Sequence, residues 1–129
     1  MSTGSFDEGV FKVALTAGTT TAGGDVLALA NPEGADLIIP SGGFVLDITT
    51  AATGAANADA GIAADSTTSA DTLIDGMDIG TAAGVFDNAD DAGTNGGPDK
   101  WGSTEYITIT PSATCAGLVG YAYIKWIRV

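Results

Sequence analysis

Apolar side chains recur at every second position in short runs separated by Gly, Pro, Asn and Asp, the pattern of half-buried β-strands joined by tight turns. The run Val10 to Thr16 puts Phe11, Val13 and Leu15 on one face and Lys12 on the other. Asp25 to Ala30 and Ala35 to Ile39 follow, linked through the turn Asn31-Pro32-Glu33-Gly34. Gly43 to Thr50 alternates Phe44, Leu46 and Ile48 with Val45, Asp47 and Thr49. Ala58 to Ala64 and Thr72 to Ile79 come next, and Gly76 predicts a bulge or bend in the second. Glu105 to Thr110 opposes Ile107 and Ile109 to Tyr106, Thr108 and Thr110, and Pro111 ends it. The longest run, Leu118 to Val129, sets Tyr121, Tyr123, Lys125, Ile127 and Val129 against Ala122, Ile124, Trp126 and Arg128. About seven to nine short strands at close intervals predict an all-β chain, an antiparallel β-sandwich or jelly-roll-like fold.

Composition removes the helical alternatives. The 129 residues include 19 Gly, and the segments between them favour Thr, Val and Ile over Glu, Lys and Leu. The longest Gly-free stretch, Ile62 to Asp75, is full of Asp, Ser and Thr, which prefer caps and turns to a helix interior. Little or no helix is expected. The length fits one domain, read as residues 10–129, preceded by a flexible N-terminal arm over residues 1–9. Much of the 45% hydrophobic content is Ala, which predicts a thin core. The arm is small and polar, and Phe6, Val10 and Phe11 are its candidate anchors on a partner surface.

Phe86 to Gly102 is too rich in Gly and Asp to read as a strand and predicts a long exposed loop. Asp87, Asn88, Asp90, Asp91, Asn95 and Asp99 in it are oxygen ligands of the kind calcium takes, but their spacing does not match an EF-hand. They read as solvated loop carboxylates, and no metal or other cofactor is assigned. Cys115, in the run SATCAG with no basic neighbour, reads as a buried, unreactive thiol.

Charge and missing residue types narrow the function. The chain has no His, one Cys and four Lys plus Arg, so it lacks the groups that most often do acid–base or nucleophilic work at neutral pH. It reads as a protein that is not an enzyme. The net charge of −12 has the wrong sign for nucleic acid or an anionic membrane. The start, MSTGSFDEGVFKVALTAGTT, suggests neither a signal peptide nor a spanning helix, and synthesis in the cytoplasm is expected. Trp101, Trp126, Tyr106, Tyr121 and Tyr123 leave open an aromatic platform for sugars, which would make this a carbohydrate-binding or host-attachment module. The other reading of these aromatics is core and subunit contact, and Tyr121, Tyr123, Lys125 and Arg128 on the last strand are the candidate subunit contacts.

The segment FVLDITTAATGAANADAGIAADSTTSADTLIDGMDIGTAAGVFDNADDAGTNGG from Phe44 to Gly97 and the closing AGLVGYAYIKWIRV carry a resemblance. Through VLDITTAATG, ADAGIAAD, TLIDGMDIGTAAGVFDN and the apolar strand after AGLVG, the chain resembles small structural proteins encoded beside capsid genes in tailed bacteriophages, the head decoration or cement proteins. That resemblance implies a β-rich module bound to the major capsid protein on the outer capsid surface of the virion. It also implies a homotrimer at local threefold positions, holding the shell against internal pressure. It supplies no catalytic residues.

Overall fold

The computed structural model describes residues 7–90, 93 and 97–129, and among them it contains ten strands and no helix. The strands are β1 (Glu8–Ala14), β2 (Leu27–Ala30), β3 (Leu37–Ile39), β4 (Phe44–Thr50), β5 (Asn57–Ala63), β6 (Ile74–Asp78), β7 (Gly84–Asp87), β8 (Asp99–Trp101), β9 (Tyr106–Pro111) and β10 (Val119–Arg128). All pairings are antiparallel, in a six-stranded sheet ordered β7-β4-β10-β3-β8 with β1 also on β10, and a four-stranded sheet ordered β2-β9-β5-β6. The two pack face to face as a β-sandwich.

The large sheet is built around β10. One edge of β10 carries β1 along its length, from Glu8 opposite Ile127 to Ala14 opposite Tyr121. The other edge carries β4 and then β3, which run in the same direction and are parted by Pro40-Ser41-Gly42-Gly43. β7 on β4 and β8 on β3 repeat this broken arrangement one position further out. Asn88 fastens the break. Its side-chain oxygen accepts the Phe44 N–H at 3.0 Å and its amide donates to the Pro40 carbonyl at 3.2 Å, with the side chain 2% exposed.

Alternation decides which side chains go inside. Phe44, Leu46 and Ile48 of β4 and Ala122, Ile124 and Trp126 of β10 face Ile107 and Ile109 of β9, Ala58 and Ala60 of β5, and Ile74 and Met77 of β6. Burying an Ile or Leu contributes roughly 1.5–3 kcal/mol, so these residues outweigh the alanines between them. The core is therefore less thin than the Ala content predicts. Gly76 takes φ +81° where the β5–β6 register is irregular, and its N–H donates to the Asp59 carboxylate at 2.8 Å, which is the expected bulge.

Two expectations are corrected. The Phe86 to Gly102 region is not one loop, because it contains the end of β7 and all of β8. Trp101 is fully buried there, and that burial holds β8 against β3 despite the flanking Gly and Asp. At the N-terminus, pairing begins at Glu8 rather than Val10, so Val10 and Phe11 are strand residues rather than arm residues. Phe11 packs at 5.6 Å on the Trp126 ring and at 6.4 Å, edge-on, on Trp101. Phe6 lies outside the described residues.

Candidate functional site

The two sheets differ in what covers their outer faces. Over the small sheet lies the β5–β6 connection, residues 64–73: Thr108 of β9 is 0% exposed and its hydroxyl donates to the Thr68 carbonyl at 2.8 Å. Gly61 of β5 is needed there, because a Cβ would stand 2.7 Å from Ala70. The outer face of the large sheet has exposed or half-buried side chains throughout, including Val10 at 63%, Val85 at 65% and Ile127 at 39% exposure.

Register sets out that outer face in rows across the strands, since directly opposed residues in antiparallel strands share a face. Glu8, Ile127, Ile38 and Lys100 form one row. Lys12, Tyr123, Val45 and Asp87 form another, and Ala14, Tyr121, Asp47 and Val85 a third. Val10 and Lys125 are opposed between the first two. The Lys12 ammonium lies 4.5 Å from the Tyr121 ring centre and 5.7 Å from that of Tyr123, a cation–π contact that holds both rings on the surface.

Every cation of the chain is on the large sheet, at Lys12, Lys100, Lys125 and Arg128. Lys100 pairs with Asp36 at 3.2 Å, and Arg128 pairs with Glu33 while its guanidinium lies over the Trp126 ring. Arg128 is thus engaged within the chain, whereas Tyr121, Tyr123 and Lys125 share the outer face. Asp59, Asp65, Asp71, Asp75 and Asp78 lie on the small sheet or its covering connection.

The sugar platform does not assemble. Trp101 and Trp126 are core residues at 0% and 6% exposure, and Tyr106 is half-buried in the small sheet, far in the topology from Tyr121 and Tyr123. Among the described residues the calcium candidates do not converge: Asn88 is the strut between β3 and β4, and one Asp87 oxygen accepts the N–H groups of Ala89 and Asp90. Asp99 is buried, and Asp91 and Asn95 lie outside the described residues. Among the described residues no three His, Cys, Asp or Glu side chains gather as a metal site. No helix there is long and apolar enough to cross a membrane.

No family model, curated protein or solved structure matches the chain. Its site must therefore be read from its own geometry.

The hollows beside β5 and β9 are shallow, and their linings mix polar and apolar groups. Two adjoin, of about 300 and 240 Å³, sharing Asn57 and Ser112 and including Asp78 in one and Asp59 in the other. Asp78 is committed to its own turn, accepting from the Thr81 hydroxyl at 2.7 Å and from the Gly80 and Thr81 N–H groups, and these bonds hold its carboxyl below the ordinary 3.8. Burial pushes Asp59 up, and the charges of Asp75 and Asp71 push the same way. Cys115 is buried, and desolvation raises its thiol pKa, as its inert reading requires.

A pH test follows from Asp78. Its folded-state pKa lies below the unfolded one, so its bonds add stability above the ordinary value and lose it as pH falls through the lower, folded value. Asp78→Asn is expected to melt below the wild type at about pH 6, with the gap closing as pH falls below the ordinary 3.8. Equal melting temperatures at both pH values would show that the turn gains nothing from the charge.

Proposed function

We propose that this protein is a noncatalytic virion structural protein that decorates and stabilises the outer surface of a phage capsid as a homo-oligomer. The observation that carries the reading is the outer face of the large sheet, where valines, two isoleucines and two tyrosines lie in ordered rows without a covering segment among the described residues. Such a face suits association with protein. The shallow hollows, lined by carboxylates already bonded to backbone, offer little to catalysis.

The segments that resemble head decoration proteins build both sheets: VLDITT lies in β4, ADAGIA in β5, and the closing YAYIKWIR in β10. In this reading the large sheet serves the subunit contact. The segment ahead of β1, with Phe6 as its apolar residue, serves the contact with the major capsid protein. Many copies on one shell would turn modest contacts into stable coating.

Co-sedimentation with purified capsids of the encoding phage tests the proposal. The full chain is expected to pellet with them to saturation, and a chain lacking Met1–Phe6 to bind about tenfold more weakly, a loss of about 1.4 kcal/mol, with an unchanged melting temperature. Full-strength coating by the truncated chain would remove the arm from the account, and no pelleting of either would remove the capsid role.

A further inference from the structure

The outer face of the large sheet is complementary to itself, and we propose that it binds a second copy of this chain, face to face, about a two-fold axis running along the strands. The inference takes the self-association in the reading above and assigns its surface and symmetry; it makes no use of capsid binding.

The order of side chains within each row makes the face complementary to itself. Going from β1 to the opposite edge, the first row reads acid, Ile, Ile, cation, in Glu8, Ile127, Ile38 and Lys100. The next full row reads cation, Tyr, Val, acid, in Lys12, Tyr123, Val45 and Asp87. A two-fold axis lying between two facing sheets and parallel to their strands exchanges the β1 side for the β7–β8 side and keeps each row opposite its own counterpart. Glu8 then faces Lys100 of the second copy, and Lys12 faces Asp87 of the second copy. Ile127 meets Ile38, and Tyr123 meets Val45. In the third row, Ala14 meets Val85 and the Tyr121 hydroxyl comes opposite the Asp47 carboxylate, an acceptor.

The alternative in-plane axis, across the strands, fails this test. It would keep each strand opposite itself and reverse the rows, setting Glu8 against Ala14, Lys12 against Val10, and Lys100 against Val85. No cation meets an acid. Charge order thus selects the axis along the strands, and inclining it by about 15° gives the crossing of about 30° that stacked sheets prefer.

Long-range charge is compatible with this pairing. The chain carries −12, but Asp59, Asp65, Asp71, Asp75 and Asp78 belong to the small sheet and its connection, on the side turned away from the second copy. The face spans about 20 Å in each direction at ordinary strand and residue spacings. That size sits at the low end of specific interfaces, so the dimer is reversible.

Sedimentation velocity on the full chain from about 0.1 to 100 µM tests the proposal, with a passage from monomer to dimer expected across that range. Glu8→Lys and Lys100→Glu each place like charges opposite one another in a homodimer, and each is expected to weaken self-association at least about tenfold. An equimolar mixture of these two variants restores opposite charges in both pairs and is expected to recover wild-type affinity. Lys12→Glu reverses a different row and is expected to weaken the dimer likewise. All three positions are exposed, so each variant should stay folded, with only small losses in melting temperature where Lys100 leaves Asp36 and Lys12 leaves the Tyr121 and Tyr123 rings. A monomer at every concentration, a trimer, a dimer indifferent to the reversals, or a mixture no stronger than its components would overturn the proposal. A protein that dimerises as described but ignores capsids would refute the capsid reading and leave this one standing.

Discussion

Trp101→Ala is expected to destabilise the fold by about 3–5 kcal/mol, the range for deleting a large buried aromatic. Trp101 is fully buried, its indole N–H donates to the Glu105 carbonyl at 3.0 Å, and Phe11 meets it edge-on. The residue therefore ties β8 to β1 as well as to β3, and its loss opens a cavity at one end of the large sheet. Equilibrium urea unfolding should show a lower midpoint with the slope retained. A loss under about 1 kcal/mol would mean that β8 is dispensable and that the region is the loop its composition suggests.

The second large effect concerns a polar residue. Asn88→Ala removes the acceptor for the buried Phe44 N–H and one of two donors to the Pro40 carbonyl, which keeps the Gly43 N–H at 2.8 Å. The Phe44 N–H is left unsatisfied in the interior, so a loss of about 1–3 kcal/mol is expected. Asn88→Asp keeps an acceptor for Phe44 but buries a charge, and should be less destabilised at about pH 4 than at about pH 7. An Asn88→Ala protein as stable as the wild type would show that the strand break needs no strut.

Much of the fold is legible in the chain because alternation is a local signal. β4 and β10 show it cleanly, and their buried sets, such as Phe44, Leu46 and Ile48, are those the period of two predicts, whereas β9 also buries Thr108 under the β5–β6 connection. β7 and β8 were hidden because Gly and Asp crowd the segment around them, and long-range pairing with β4 and β3 supplies their stability. Asn88 looked like a loop ligand for the same reason. Its partners, Phe44 and Pro40, are adjacent only in space.

The candidate site was legible in part. Tyr121, Tyr123 and Lys125 share a face by simple alternation, as the sequence indicates, whereas Arg128 is drawn to Glu33. What no local pattern reveals is the order of charges across strands. Lys12 and Asp87 enter one row only when β1, β10, β4 and β7 take their register, and the self-complementarity of the face exists only at that level.

The proposed role is to stabilise an assembled shell rather than to transform a substrate. It is tested most directly by the disruption temperature of purified capsids stripped of this protein, measured with and without saturating amounts of it. The account predicts an upward shift that saturates with added protein and reverses when the protein is washed away. An unchanged disruption temperature, with the folded protein left in the supernatant, would contradict it.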